Sequence, residues 1–292
     1  MKIFLKNITV FISIFLLVNF VYYLLIVFTD LNFKKRIESL NFRNPDYEVL
    51  VIGNSMASDA FDTELMTKNG LKSFNLSIPG SSLKTNLIQL QEYIDKYKTK
   101  PKYVILGIGS YMGTFDMDEI HPIVDFTMSN HQYSYKDLPL VKFQWLMLEM
   151  AKKIVSSAHR NATLINGQIR FQKARPDLTD YSDRKFDIGY YENSRYTAEI
   201  AQVCTENDIK LIVIEMPGFK DTRTDDKLGP YQLNFKNGFK AEFYYFNSKK
   251  FGEIFNPKSD WIGNSHLNEY GGEKFTIEVL TKVFHLEEYN TI

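Results

Sequence analysis

Several common features are scarce in this chain, and each scarcity excludes a class of protein. Cys204 is the one cysteine in 292 residues, so an internal disulfide is excluded, and no cysteine–histidine grouping has zinc-site spacing. The 35 Lys and Arg residues balance 35 Asp and Glu residues, which leaves no basic excess for nucleic acid. Hydrophobic residues make up 44% of the chain, which excludes a largely disordered protein. We therefore expect a folded protein with no metal, no cofactor and no nucleic-acid partner.

Charge is also absent from one long segment near the N-terminus. Residues 7–28 (NITVFISIFLLVNFVYYLLIVF) carry none, and a helix of that length rises about 33 Å, enough to cross a bilayer. A cleaved signal peptide is the rival interpretation, but its apolar stretch should be shorter and should end in small residues. Bulky residues here continue to Phe28. The sequence predicts a short segment over residues 1–6 and a membrane-spanning helix over 7–29.

The charges that flank this helix do not settle its orientation. Lys2 and Lys6 precede it, and Lys34, Lys35 and Arg36 follow it, so the positive-inside rule favours neither side. Residues 30–46 are polar and contain a proline, which indicates a juxtamembrane helix or stalk that links the anchor to the rest of the chain.

From residue 47 onward, short apolar runs alternate with amphipathic helical patterns. This alternation predicts an α/β fold with a central parallel sheet and helices on both faces, in which the chemistry gathers at the carboxyl ends of the strands. The predicted strands are 47–52, 73–76, 103–106, 209–214 and, more weakly, 242–246. The predicted helices are 85–97, 195–207 and 272–284.

About a hundred residues separate the third and fourth predicted strands, which predicts an insertion at about 113–195. Residues 138–157 have a helical pattern, and 171–196 are polar and aromatic. Insertions of this length are commonly functional, for example as lids. The aromatic residues of the insertion either stack on sugar rings or cover the core; they are Tyr181, Phe186, Tyr190, Tyr191 and Tyr196.

The first candidate for chemistry is Ser55, in the stretch VLVIGNSMASDA at residues 49–60. A buried strand ends there and a helix-like segment follows, so the serine lies at the carboxyl edge of the sheet beside a helix N-terminus. The free N–H groups of that helix can stabilise a developing negative charge. The alternative is that Ser55 only caps the helix.

The second candidate is His266, in a turn-rich loop that runs into the last predicted helix. A nucleophilic serine needs a base within hydrogen-bond reach, and histidine is the usual one because it exchanges protons near neutral pH. The other four histidines lack a comparable context, and we interpret them as structural.

Together these segments resemble the SGNH/GDSL hydrolase superfamily, in particular its membrane-anchored, extracytoplasmic branch of DltD-like and polysaccharide O-acetylation-associated proteins. Gly53-Asn54-Ser55 looks like the first family block, Ser77-Ile78-Pro79-Gly80 resembles the second, and His266-Leu267-Asn268 followed by Gly271 is similar to the last. The resemblance implies a flavodoxin-like three-layer α/β/α domain over residues 47–288. It also implies that Ser55 is the nucleophile, that His266 is the base, and that the Gly80 N–H belongs to the oxyanion hole.

The sequence departs from the family pattern in the third block, where an asparagine side chain usually completes the oxyanion hole. The matching place reads Gly107-Ile108-Gly109-Ser110. Either Ser110 substitutes for that donor, or the backbone N–H groups of Ser55 and Gly80 act alone. The loss of one such donor typically costs about a hundred- to a thousandfold in rate.

A second departure concerns the carboxylate that orients the histidine. The family pattern is Asp-x-x-His, but Gly263 stands three residues before His266. Asp260 is a candidate if the loop bends suitably, Asn264 can orient the ring without charge, and Glu215 ends the fourth predicted strand. A triad without its carboxylate can lose on the order of ten-thousandfold in turnover.

These observations favour a Ser55–His266 dyad, with Asp260 as a third member if it reaches. The expected function is that of a serine esterase or O-acyltransferase that acts on an acylated cell-envelope substrate such as a surface polysaccharide. Its expected partners are the membrane and a membrane acyl-donor protein. The alternatives are a degenerate protein of this fold that binds glycan or an assembly partner, and a structural anchor protein in which Gly-Asn-Ser is accidental.

Overall fold

A computed structural model describes residues 1–29, 31–41, 46–97, 99–109, 117–128, 135–155, 163–170, 178, 187–219 and 227–286. The helices in these ranges are α1 (Lys2–Phe28), α2 (Asn32–Asn41), α3 (Ser55–Ala60), α4 (Thr63–Lys68), α5 (Leu83–Lys96), α6 (Pro122–Thr127), a 3-10 turn (Tyr135–Asp137), α7 (Pro139–Lys142), α8 (Gln144–Val155), α9 (Ile188–Glu192), α10 (Arg195–Glu206), α11 (Lys249–Gly252) and α12 (Glu269–Lys282). The strands are β1 (Val49–Gly53), β2 (Ser73–Asn75), β3 (Tyr103–Ile108), β4 (Thr163–Ile165), β5 (Gln168–Arg170), β6 (Lys210–Glu215), β7 (Tyr231–Asn234), β8 (Lys240–Tyr245), β9 (Trp261–Gly263) and β10 (His266–Leu267).

A six-stranded sheet forms the centre of the domain, in the order β2-β1-β3-β6-β8-β7. Its first five strands are parallel, and β7 adds to β8 as an antiparallel edge strand. If the five parallel strands are renumbered 1 to 5 in chain order, their order across the sheet is 2-1-3-4-5. The direction in which successive strands are added to the sheet therefore reverses between β1 and β3. In doubly wound sheets ligands bind outside the carboxyl ends of the strands at such a reversal.

Helices cover both faces of the sheet because alternate residues of each strand point to opposite sides. On β1, Leu50 and Ile52 pack in one core cluster with side chains of α5 and α10, whereas Val49 and Val51 pack in another with α3, α4 and α12. The strands are buried on both faces, which explains why they read as continuous apolar runs.

The α/β architecture, the mostly parallel sheet and the long apolar N-terminal helix are confirmed. The sequence did not predict β7. That strand is only four residues long and lies at the sheet edge, where Leu233 alone is buried, so it lacks a strong apolar signal.

The described part of the insertion packs onto the domain rather than standing apart from it. The N–H of Asn75, in edge strand β2, donates to the carbonyl of Asn166 in the β4–β5 hairpin at 3.0 Å. Tyr191 and Tyr196 are buried in the core. These two aromatic residues therefore cover the core, while Tyr181 and Phe186 lie outside the described residues.

Helix α1 is long and apolar enough to cross a membrane. The juxtamembrane segment that follows forms α2, which packs into the domain instead of acting as a free stalk. Leu40 joins the main core cluster, and the side chain of Arg36 is fully buried.

Candidate functional site

Ser55 is the first residue of α3 and directly follows the carboxyl end of β1, beside the reversal between β1 and β3. The capping residue is its neighbour: Asn54 Oδ1 accepts a hydrogen bond from the Met56 N–H at 3.0 Å. The interpretation of Ser55 as the helix cap is therefore wrong. The half-buried Ser55 hydroxyl is not required to satisfy the end of the helix.

Two glycines allow α3 to begin so close to the sheet. A Cβ on Gly53, whose φ is +152°, would lie 2.2 Å from the Gly107 carbonyl oxygen on β3. A Cβ on Gly107 would lie 2.6 Å from the Ala57 Cβ on α3. The glycines at the ends of β1 and β3 thus make room for the turn that carries Ser55.

His266 lies on β10, which pairs antiparallel with β9 in a short hairpin outside the main sheet. Asn268 holds the adjoining start of α12, since its Oδ1 accepts hydrogen bonds from the N–H groups of Tyr270 and Gly271, each at 3.1 Å. A Cβ on Gly271 would lie 2.3 Å from the Asp260 carbonyl oxygen. The residues around His266 therefore fix the loop that presents the imidazole.

The partner of the imidazole is Asp59. His266 Nδ1 lies 2.8 Å from Asp59 Oδ2, and Asp59 is only 7% exposed. Asp59 is on α3, four residues after Ser55, and residues four apart lie on the same side of a helix, with Cβ atoms about 5–6 Å apart. Ser55 is thus about one helical turn from the residue that contacts the His266 ring.

Burial raises the pKa of Asp59 above its usual range. The hydrogen bond and the charge of His266 oppose this rise, as does the positive charge of Arg36. A carboxylate in this setting is a strong acceptor for a ring N–H, because few water molecules compete for it.

The Arg36 guanidinium, from α2, is buried next to this pair. Its Nη2 donates to the Ser58 Oγ at 3.0 Å, and burial lowers its pKa to about 9 although the Asp59 charge acts in the opposite direction. Among the described residues, its Nε and Nη1 atoms have no hydrogen-bond partner. The charge of Asp59 therefore compensates a buried cation as well as contacting the imidazole.

Asp260, the carboxylate suggested by the sequence, serves the loop instead of the imidazole. Its Oδ2 accepts hydrogen bonds from the Asn256 N–H at 2.7 Å and from Lys274 Nζ at 2.6 Å, and its Oδ1 accepts one from Ser259 Oγ at 2.7 Å. The interpretation of Asp260 as the partner of His266 is therefore wrong, and the carboxylate that contacts the imidazole is that of Asp59. The reason is that the loop folds so that Asp260 faces the first turns of α12.

Glu215, one of the other two residues considered for this role, is engaged elsewhere. Glu215 accepts hydrogen bonds from the Tyr191 hydroxyl and, at 3.2 Å, from Asn247 Nδ2. The Asn264 carbonyl accepts a hydrogen bond from the Phe219 N–H at 2.7 Å.

The segment with Gly80 is attached to the end of β1. The carbonyl oxygen of Gly53 accepts hydrogen bonds from the Ile78 N–H at 3.1 Å and from the Ser81 Oγ at 2.7 Å. Gly80 itself is exposed, with φ at +77°. This segment thus turns beside the residues that precede Ser55, whereas Ser110 lies outside the described residues.

Sequence reasoning missed Asp59 and Arg36. The sequence contains a pattern that could have identified Asp59, because Asp59 stands four residues after the candidate nucleophile in a helix-like segment and so shares a helix face with it. No such pattern identifies Arg36, since nothing in the sequence indicates that the juxtamembrane segment folds under the start of α3.

Within the described ranges, no group of three or more His, Cys, Asp or Glu residues is placed to hold a metal ion. No protein-family model matches the chain, and no curated protein sequence matches it.

Proposed function

We propose that the protein is a membrane-anchored serine esterase or O-acyltransferase of the SGNH type. In this proposal Ser55 is the nucleophile, His266 is the base, and Asp59 orients the imidazole. The single observation that supports it most is the 2.8 Å contact between His266 Nδ1 and Asp59 Oδ2, because Asp59 shares a helix with Ser55.

The roles follow from the chemistry of the imidazole. When Nδ1 donates its proton to a buried carboxylate, Nε2 is left unprotonated and able to accept a proton. Ser55 begins the same helix, so its Oγ is the nucleophile that this nitrogen would serve. In this proposal Asp59 takes the role of the aspartate in the Asp-x-x-His pattern, where this chain has Gly263.

In the proposed reaction, Ser55 Oγ attacks the ester carbonyl carbon while His266 Nε2 takes the hydroxyl proton. The oxyanion that forms is stabilised by the backbone N–H groups of Ser55 and Gly80. The intermediate collapses, the ester C–O bond breaks, and His266 returns the proton to the leaving alkoxide. Water or an acceptor hydroxyl then attacks acyl-Ser55, with His266 again acting as the base.

The N-terminal helix limits where the domain can meet a substrate. A domain whose juxtamembrane helix is packed into its core stays within a short distance of the bilayer surface. This closeness supports a substrate at the membrane surface. On the resemblance to the extracytoplasmic SGNH branch we propose an acylated cell-envelope substrate, such as a surface polysaccharide, and a catalytic domain on the extracytoplasmic side. An acyl-donor protein in the same membrane is the expected partner if the acyl group is transferred to carbohydrate.

The competing proposal is a degenerate protein of this fold that binds glycan or an assembly partner. It is favoured by Gly107-Ile108-Gly109-Ser110, where the asparagine donor is missing. The missing aspartate of the Asp-x-x-His pattern favours it less than the sequence suggests, because Asp59 contacts the imidazole at 2.8 Å.

An activated-serine probe separates the two proposals. The full-length protein in detergent is incubated with a fluorophosphonate, and the adduct is located by mass spectrometry. We expect labelling at Ser55 in the wild type and none in Ser55→Ala. Ser39→Ala is the matched control, since its hydroxyl donates to the Arg36 carbonyl of its own helix.

Ser39→Ala should label like the wild type. Failure of the folded wild type to label over the pH range 5–9 would contradict the enzyme proposal and favour the binding protein. Release of acetate from an aryl acetate, measured with and without added oligosaccharide, then distinguishes hydrolysis from transfer.

A further inference from the structure

Helices α7 and α8 are apolar on two opposite sides. One side is buried and contributes Phe143, Leu146 and Met150 to a core cluster with the end of α1. The other side is exposed: Val141, Trp145 and Leu148 are 60%, 65% and 54% accessible to solvent. Trp145 and Leu148 are three residues apart on α8 and share one face, and Val141 is exposed on α7 just before the break between the two helices. A helix with apolar residues on both sides is typical of an apolar environment on both sides.

Helix α1 holds this pair of helices through polar contacts inside its apolar stretch. Asn19 Oδ1 accepts a hydrogen bond from the Leu140 N–H at 3.0 Å, and the Tyr22 hydroxyl donates to the Phe143 carbonyl at 2.6 Å. Leu140 lies in the first turn of α7, and Phe143 lies between α7 and α8. The Leu140 N–H is one of those that a helix start leaves without a helical partner. The Phe143 carbonyl, which also accepts a hydrogen bond from the Leu146 N–H at 2.9 Å, lies at the junction of the two helices.

Backbone groups at membrane depth must be satisfied by protein, because the hydrocarbon core offers no water. The Asn19 side chain does this for the Leu140 N–H, and the Tyr22 hydroxyl is itself satisfied by the Phe143 carbonyl. These contacts also account for the polar residues in an otherwise apolar segment.

The residues that α1 exposes on its opposite side indicate how far α7 and α8 reach into the bilayer. At the level where α7 and α8 pack, α1 still exposes Phe20, Val21 and Leu25, and Phe28 beyond them. If a bilayer covers these residues, then it reaches the level of α7 and α8. Lys142, which follows the exposed Val141, makes an ion pair through its Nζ with Asp125 at 3.3 Å.

We propose that α7 and α8 form a second membrane-contacting element that lies in the bilayer interface beside α1, with Val141, Trp145 and Leu148 facing lipid acyl chains. The proposal rests on the insertion of α1 and not on the enzymatic proposal. Tryptophan is enriched at membrane interfaces, and an amphipathic element in the interface plane buries its apolar face in the boundary region. Two attachments would fix the orientation of the domain to the membrane, which one helix alone does not.

Tryptophan fluorescence tests this contact because the chain has only two tryptophans. Trp145 is on the proposed face, and Trp261 is 1% exposed in the domain core. The full-length protein is reconstituted in phosphatidylcholine vesicles with and without brominated acyl chains. Bromolipid should quench about half of the emission, as expected for one of two tryptophans at the acyl boundary, and aqueous iodide should quench little.

Two variants locate the effect. Trp145→Phe keeps the face apolar, and we expect its remaining emission to be insensitive to bromolipid. Val141→Glu/Leu148→Glu retains Trp145 but adds charge to the face, so bromolipid quenching should fall and iodide quenching should rise. If this double variant does not fold, the comparison of the wild type with Trp145→Phe still shows whether Trp145 contacts the lipid acyl chains.

Three results overturn the proposal. Trp145 quenched by iodide and not by bromolipid would place the face in water. Trp145 shielded from both quenchers would indicate that protein, such as a second copy of the chain, covers it. Wild-type protein that separates from the vesicles on flotation would show that α1 itself does not insert.

Discussion

Replacing Asp59 by asparagine preserves the shape of the side chain but removes the charge that faces His266. The amide can donate its own N–H to Nδ1, which would place the ring proton on Nε2, the tautomer that cannot act as the base. In a serine triad this change of tautomer lowers turnover on the order of ten-thousandfold, or about 5 kcal/mol of transition-state free energy. We expect the rate of fluorophosphonate labelling of Asp59→Asn to fall by about that factor.

The same substitution has two opposing effects on the stability of the fold. Because burial raises the folded-state pKa of Asp59, its ionisation costs stability as pH rises between the unfolded and folded pKa values, and an amide avoids this cost. The amide also removes the negative charge that compensates the buried Arg36 guanidinium, and an uncompensated buried charge is strongly destabilising. We expect the second effect to be the larger, so the Tm of Asp59→Asn at pH 7 should lie below that of the wild type, and labelling is compared per folded molecule.

Asp260→Asn is the matched control. Asp260 accepts hydrogen bonds from Lys274 and from the Asn256 N–H, so its neutralisation should cost about 1–3 kcal/mol of stability. Its labelling rate per folded molecule should stay near that of the wild type. The reasoning is refuted if folded Asp59→Asn labels within about tenfold of the wild-type rate, or if Asp260→Asn loses as much labelling per folded molecule.

Three further outcomes follow from the structure. Arg36→Met removes a positive charge that lowers the pKa of Asp59, so the acid limb of the pH–labelling profile should move to higher pH; an unchanged limb contradicts the coupling. Gly53→Ala should lower stability by about 3 kcal/mol or more in chemical denaturation, because its Cβ would lie 2.2 Å from the Gly107 carbonyl oxygen; a wild-type midpoint would show that the strands can separate without cost. Burial raises the pKa of Cys204 to about 12, so iodoacetamide should modify it about a thousandfold more slowly in the folded protein than in urea, as measured by mass spectrometry.

The strand and helix patterns predicted most of the domain because they are local. The runs that became β1, β3 and β6 are apolar without interruption, which marks strands buried on both faces. The helical pattern at 195–207 became α10, Arg195–Glu206. Strand β7 was missed because an exposed edge strand of four residues needs little apolar sequence.

The sequence by itself determined the apolar N-terminal helix, the α/β architecture and the two candidate positions, Ser55 and His266, because each depends on a contiguous pattern of residues. Only the tertiary structure decided which carboxylate contacts the imidazole. Asp260 is near His266 in the chain, but the start of α12 holds it, whereas Asp59 is 207 residues away and lies 2.8 Å from the ring. The burial of Arg36 under the same helix was decided in the same way. Hydrogen bonds and charge pairs depend on the distance between atoms in space. A local sequence pattern cannot predict that distance for residues that are far apart in the chain.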